Sequence, residues 1–149
     1  YANRLPIGKM DIIDKTPNSR IKDFYNKWYK PHNMSVIVVG DFNVAPADTD
    51  IYDPRRWKHR THASAPERAA IEALLALGFF DLAREWDGDD PSYTWWNYRS
   101  KLEDDKGLRI DLALGSEEVL QELKGVTVDR RARRAERPSD HAPLVVELF

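Results

Sequence analysis

The stretch Met34-Ser35-Val36-Ile37-Val38-Val39 is largely apolar, rich in β-branched side chains and only six residues long, and it breaks off at Gly40-Asp41-Phe42-Asn43. That length is too short for an ordinary helix, and branching at Cβ suits a pleated surface, so a buried strand ending at Gly40 is predicted. Its end delivers Asp41 and Asn43 to a loop at the C-terminal end of a strand, where ligands usually sit in α/β sheets.

The flanking sequence alternates helix and strand signals. Thr16 as N-cap and Pro17 at the first helical position open a helix carrying Ile21, Phe24, Tyr25 and Trp28 at helical spacing, and Pro31 stops it. Ser64-Ala65-Pro66-Glu67 forms a capping box ahead of Ile71, Leu74 and Leu75, with Gly78 as the C-terminal stop. Tyr93 to Tyr98, Arg109 to Leu114 and Pro143 to Leu148 are predicted as strands, and Ser116 to Lys124 as a helix with Glu117 and Glu118 at its positive end. An α/β layered domain follows, in which several strands can be antiparallel.

Composition narrows the function classes. The 149 residues include no cysteine, which excludes thiol catalysis, CxxC zinc ribbons and disulfide scaffolds and is compatible with a reducing cytoplasm. The opening YANRLPIGKM lacks the apolar core of a signal peptide, and no run reaches membrane-spanning length, so a soluble cytoplasmic protein with no membrane partner is expected. The formal charge of −2 gives no global case for nucleic-acid binding, but it is unevenly spread. Residues 1–40 hold seven Lys/Arg against three Asp, whereas the remainder is acidic, with local basic runs at Arg55-Arg56-Trp57-Lys58-His59-Arg60 and Arg130-Arg131-Ala132-Arg133-Arg134. Such patches can steer a phosphate chain, although a solvated surface run has the same composition.

Three stretches place polar groups where packing does not ask for them: Gly40-Asp41-Phe42-Asn43, Arg109-Ile110-Asp111-Leu112 and Ser139-Asp140-His141-Ala142-Pro143. Hard divalent cations take carboxylate oxygens together with water and substrate phosphate, which makes Asp41 and Asp140 candidate ligands. An ionised Asp can also take a proton from an attacking water, and Asn43 can donate to an oxygen gaining charge. Asp111 and His141 would form a carboxylate–imidazole pair in which the acid fixes the ring tautomer. Against this, Asp41 and Asn43 are ordinary turn residues and Asp140-His141 suits a surface turn. Asp111 is less easily dismissed, because strand alternation sets it on the face opposite Ile110 and Leu112. Trp95 and Trp96 are core or strand-edge aromatics unless a nucleotide stacks on them.

In this order, GDFNVAP, Asp50-Ile51-Tyr52-Asp53-Pro54, Pro91-Ser92-Tyr93-Thr94-Trp95-Trp96-Asn97-Tyr98-Arg99, Gly107-Leu108-Arg109-Ile110-Asp111 and Ser139-Asp140-His141-Ala142-Pro143 resemble the C-terminal half of the exonuclease III family, within the endonuclease/exonuclease/phosphatase superfamily. The resemblance covers about Val36 to Phe149. It implies half of a four-layer α/β sandwich and magnesium- or manganese-dependent cleavage of double-stranded DNA, beside abasic sites or from the 3′ end. By motif, Asp41 would be the general acid/base and a metal contact, and Asn43 would stabilise the pentacovalent phosphate and also contact metal. Asp111 would orient His141 on the scissile phosphate, and Asp140 would help hold metal. Trp95, Arg99, Leu108 and His141 would contact DNA, with Trp95 in the place of an aromatic lining the abasic pocket and Leu108 where some members carry Trp.

A second resemblance covers the start. Arg4-Leu5-Pro6-Ile7-Gly8, then Thr16-Pro17 through Phe24 to Asp41, is similar to pitrilysin-type zinc peptidases, without their HxxEH zinc helix. The chain thus reads as a chimera, with residues 1–40 pitrilysin-like and 41–149 exonuclease III-like, joined where both families show an apolar strand running into Gly-Asp. Family members supply a metal-binding Glu from a preceding half, and residues 1–40 contain no Glu. Reduced metal affinity and weak or absent turnover are therefore expected. The alternative is a non-catalytic α/β module that self-associates through exposed sheet edges.

Overall fold

The computed structural model describes residues 14–30, 34–88 and 92–149. Arg4 to Gly8, Pro31 and Pro91, used in the sequence reading, lie outside the described residues. The chain divides into two compact units, Tyr1–Met34 and Ser35–Phe149.

In the first unit, helix α1 spans Asn18–Trp28, with Pro17 as the extended residue at its N-cap. The start is thus one residue later than the sequence suggests, because Pro17 has ψ 143° and lies outside the helical region. Aromatic residues at helical spacing pair along it: Phe24 and Trp28 have ring centroids 6.4 Å apart, and Tyr25 stacks on Tyr29 at 4.9 Å.

The second unit is a mixed helix-and-sheet structure whose strand pairs are all antiparallel. Its strands are β1 (Ile37–Asp41), β2 (Phe80–Asp81), β3 (Trp95–Trp96), β4 (Gly107–Leu108), β5 (Asp111–Gly115), β6 (Leu123–Val128) and β7 (Leu144–Leu148). Its helices are α2 (Pro54–Trp57), α3 (Ala65–Leu75), α4 (Leu82–Asp87) and α5 (Glu117–Gln121). Three sheets result, ordered β1-β5-β2, β3-β4 and β6-β7. The capping box forms as read: Ser64 N and Oγ both donate to the Glu67 carboxylate, at 3.0 and 2.5 Å. Gly78 closes the turn after α3 at φ 97°, a conformation that favours glycine.

Strand β5 organises the core, because successive side chains point to opposite faces. Leu112 and Leu114 pack with Val44 and Ile71 of α3, whereas Ala113 faces Leu82, Val119 and Val126 on the side of α4 and β6-β7. Gly115 closes that second face: a Cβ there would lie 2.9 Å from both Leu82 and Val119. A third cluster, Ala45, Ile51, Leu108 and Ile110, supports the loop after β1.

Three expectations are corrected. Strand β1 is not buried: Ile37, Val38 and Val39 are 40–48% exposed, because β1 is an edge strand whose only ladder partner among the described residues is β5. The aromatic strand shrinks to Trp95–Trp96, since Asn97 Oδ1 accepts from Arg99 N at 2.9 Å and turns the chain. The helix over Ser116 to Lys124 stops at Gln121, and Leu123–Val128 forms β6 instead. Pairing with β7 there buries Gly125 and Val126, a tertiary gain that overrides helix propensity.

Beneath the loop after β1 lies a buried ionic network. Asp50 is fully buried and accepts from Arg109 Nε at 2.6 Å, from Arg84 Nη2 at 2.8 Å and from Ala47 N at 2.8 Å. Arg109, 1% exposed, also donates to Asp81 at 3.0 Å. Burial opposes the charge on Arg109, but the Asp50 and Asp81 carboxylates outweigh it and hold the guanidinium above the ordinary arginine value.

Candidate active site

Register builds the centre of the site. In the β1–β5 ladder Asp41 lies directly opposite Asp111. Like charges facing one another across strands are destabilising unless a cationic or donor group lies between them. His141 supplies that group: its Nδ1 is 2.8 Å from Asp111 Oδ2 and its Nε2 is 3.8 Å from Asp41 Oδ2. Because Nδ1 faces a carboxylate, it carries the proton as donor, which leaves Nε2 as the ring atom turned toward Asp41. Asp41 in turn accepts from Asn43 N at 2.8 Å and from Asn43 Nδ2 at 2.9 Å. The turn reading and the functional reading thus coexist, since Asp41 caps an Asx turn with Asn43 in the left-handed region at φ 56°.

The strand β3 carries the His141 loop to this point. Ala142 N donates to Thr94 O at 2.8 Å, Trp96 N donates to Asp140 O at 3.0 Å, and Trp95 bridges to His141. The Thr94 hydroxyl, fully buried, accepts from the backbone N–H groups of Ile110 and Asp111 at 3.1 and 3.0 Å. Thr94 therefore ties Asp111 and the His141 loop to one residue. It was not singled out from sequence, because a threonine between aromatics is what any strand offers.

The other sequence candidates fall into three groups. Asp140 is next to the cluster but its carboxylate accepts from Trp95 Nε1 at 2.9 Å, and it stands outside the group that could share a cation. That group is Asp41, Asp111 and His141, whose ligand atoms lie within 4.8 Å of one another. Of the set expected from the motifs to hold metal, Asp41, Asn43 and Asp140, Asn43 Nδ2 donates to Asp41 Oδ2 at 2.9 Å, and Asp140 Oδ2 accepts from Trp95. Trp95 and Arg99 line a neighbouring cavity of about 440 Å³, together with Trp57, Arg56, Arg60 and Lys106. Leu108, expected at a DNA-binding surface, is fully buried opposite Trp95 in the β3–β4 pair and packs with Ile51 and Ile110, so it is a core residue.

Two further residues bear on the site. His62 Nδ1 lies 2.7 Å from Asn43 O, and its ring sits 5.7 Å from Trp57 and 6.2 Å from Trp95. It thereby joins the turn at Asn43 to the aromatic wall. Asp111 and His141 also open onto a cavity of about 340 Å³ bordered by Ser139 and Pro143.

The Endonuclease/Exonuclease/phosphatase family matches residues 11–141. Exodeoxyribonuclease III of Haemophilus influenzae is 34% identical over 129 residues, covering 80% of this chain and 48% of that protein. Among solved structures, the 3′ phosphatase NExo from Neisseria bound to a product DNA hairpin superposes with a TM-score of 0.76 at 35% identity, over 91% of this chain and 56% of that one. An AP endonuclease from Archaeoglobus fulgidus gives a TM-score of 0.76 at 30% identity, over 87% of this chain and 51% of that one. The chain spans about half the length of these relatives. A short segment is also similar to the probable zinc protease PqqL of Haemophilus influenzae, 58% identical over 43 residues, which is 29% of this chain and 5% of that protein. With its strand-paired acids, its His141 loop and a family match over most of its length, the chain belongs to the endonuclease/exonuclease/phosphatase family.

Proposed function

We propose that this chain carries the phosphate-cleaving face of a cytoplasmic DNA-repair phosphodiesterase of the abasic-site endonuclease and 3′-exonuclease type, acting on double-stranded DNA. The observation that supports it is the convergence of Asp41, Asn43, Asp111 and His141 through contacts of 2.8, 2.9 and 3.8 Å. Asp111 fixes the His141 ring so that Nε2 faces the scissile phosphate. Asp41 takes a proton from the water that adds to phosphorus as the P–O bond to the sugar breaks, and the leaving sugar oxygen takes up a proton from solvent water. The second N–H of the Asn43 amide, without an acceptor among the described residues, can donate to the phosphoryl oxygen that gains charge. Trp95, with Arg99 in the same cavity, offers a stacking face and a cation to the strand. Asp140, whose Oδ2 accepts from the Trp95 indole, helps hold the metal through its other oxygen.

The carboxylates of Asp41 and Asp111 fit a hard divalent cation, magnesium or manganese, with His141 at its edge. Bound there, such an ion would polarise a phosphoryl oxygen and offset the negative charge of the two acids. With this short ligand set, affinity and turnover are low, and groups acting as a unit lose activity together rather than additively. We take residues 1–40 as a pitrilysin-like segment and 41–149 as the exonuclease III-like portion.

The test is cleavage of a duplex carrying one abasic site, with and without magnesium. His141→Ala is expected to lower a magnesium-dependent rate about 100-fold or more. Equal rates for both proteins would remove this centre from catalysis. No cleavage by either would favour the second reading, a non-catalytic module, for which the exposed Ile37, Val38 and Val39 on edge strand β1 speak. Self-association through that edge then shows as a mass in light scattering that falls on dilution; a dilution-independent monomer would refute it.

A further inference from the structure

Strand pairing alone holds His141 weakly. Its loop meets β3 in a single bridge, Trp95 to His141, flanked by Trp96 N donating to Asp140 O and Ala142 N donating to Thr94 O. Upstream of Ser139 the chain has little packing to fix it: residues 134–137 are exposed, and Arg137 lies in the left-handed region at φ 51°. One side chain spans this stretch. Arg133, within the 3-10 turn Arg130–Arg134, donates through Nη1 to Ser139 O and through Nη2 to Trp96 O at 3.3 Å. Trp96 is a fixed post, fully buried, with its Nε1 donating to Asp105 at 3.0 Å and Arg130 over its ring at 4.9 Å. The Arg133 guanidinium also lies 5.4 Å from the ring centroid of Tyr98, whose hydroxyl donates to Pro138 O at 3.0 Å. Arg130 and Arg131 pair with Asp105 and Asp129, but Arg133 has no acid partner among the described residues, so both ends of its fork serve backbone carbonyls.

We infer that Arg133 is a positioning residue for His141, clamping the Ser139 carbonyl to that of Trp96 and so fixing where the imidazole stands. The Ser139 hydroxyl accepts from His141 N at 3.1 Å, so holding Ser139 sets the turn on which His141 begins. That turn brings Nδ1 to 2.8 Å from Asp111 and Nε2 to 3.8 Å from Asp41. A planar fork joins two carbonyls at once, which a lysine ammonium, a point charge on a flexible stem, does not reproduce. Without the clamp, His141 is left to one bridge and an exposed loop, and a displacement of about 1 Å at a reacting group costs about 100-fold in rate. Arg133 acts through the backbone and touches no reacting atom. Its catalytic consequence rests on the phosphodiesterase reading above; its positioning of the ring does not.

The full chain is compared with Arg133→Met, which keeps an apolar stem, and Arg133→Lys, which keeps the charge. Arg134→Gln, at an exposed neighbour, controls for the loss of a positive charge. The nitrogen resonances of the His141 ring are recorded by nuclear magnetic resonance at alkaline pH, where imidazole is neutral and its two nitrogens report the tautomer. Wild type and Arg134→Gln are expected to show one tautomer, with the proton on Nδ1. Both Arg133 variants are expected to show the two tautomers averaged, while the backbone amides of β1 and β5 keep their positions. If Arg133→Met does not fold, Arg133→Lys decides alone. On a duplex carrying one abasic site, kcat is expected to fall about 10- to 100-fold in the Arg133 variants at unchanged KM. A wild-type tautomer in Arg133→Lys would overturn the positioning role, and a raised KM at unchanged kcat would overturn it in favour of direct contact with the strand. A wild type that cleaves nothing would sink the phosphodiesterase reading alone, because the ring spectra still decide what Arg133 does.

Discussion

The ionic network of buried Asp50, Asp81 and Arg109 with the partly exposed Arg84 allows a demanding test of how this fold is held. Asp50→Asn keeps the side-chain volume and can still accept from Ala47 N, but it removes the carboxylate that receives Arg109 at 2.6 Å and Arg84 at 2.8 Å. Of its two carboxylate partners the Arg109 guanidinium would then keep only Asp81. Arg109 cannot escape by losing its proton, because its neighbours hold it above the ordinary arginine value. Removing one partner from a buried pair costs about 3–5 kcal/mol, which is a large part of the total stability of about 5–15 kcal/mol typical of a domain. Urea melts followed by tryptophan fluorescence should show the midpoint falling at unchanged slope. In a cycle with Arg109→Met, the double variant is expected to be less destabilised than the sum of the two single variants, by about 1–3 kcal/mol, since each single change strands the other's charge. A loss below about 1 kcal/mol for Asp50→Asn, or strict additivity in the cycle, would refute the claim that this charge is paired in a dry interior.

Other consequences follow from single contacts. Thr94→Val keeps the shape but withdraws the acceptor used by Ile110 N and Asp111 N, so a loss of about 1–3 kcal/mol in urea melts is expected. Gly115→Ala places a methyl group against Leu82 and Val119 and should cost about 1–3 kcal/mol by the same measurement. Glu67 is held below the usual glutamate value chiefly by the Ser64 hydroxyl. Its stabilisation is therefore complete above the ordinary glutamate pKa and lost as pH falls through the lowered folded value. Glu67→Gln should cost about 0.5–1 kcal/mol at neutral pH and converge with wild type in acid; a constant difference between the two would refute the linkage.

Much of the site was legible because its residues break local rules. Asp111 between two buried aliphatics, Gly-Asp at the end of a β-branched run, and Asp140-His141 before a proline are each poor scaffolding, and the first and last of these supply the Asp111–His141 pair. Where the reading failed, packing had overruled local signals. A β-branched run was read as buried, yet β1 is an edge strand with a half-exposed face. Leu108 was placed at a surface by motif, but the β3–β4 pair turns it inward to Ile51 and Ile110. Nothing local announced that the Trp95 indole donates to the Asp140 carboxylate, a contact across forty-five residues.

The sequence by itself settled what neighbouring residues can settle: the capping box at Ser64 and Glu67, the turn at Asp41 and Asn43, and the alternation that separates Asp111 from Leu112. These depend on backbone preferences and hydrogen bonds within a few residues. The tertiary structure alone decided that Asp41 stands opposite Asp111, that His141 reaches Asp111 across thirty residues, and that Arg109 finds Asp50 across fifty-nine. The first of these is fixed by strand register and by the burial of both faces of β5, so that a shift of one residue would send Asp111 to the opposite face; the other two depend on loops that packing alone brings to β5.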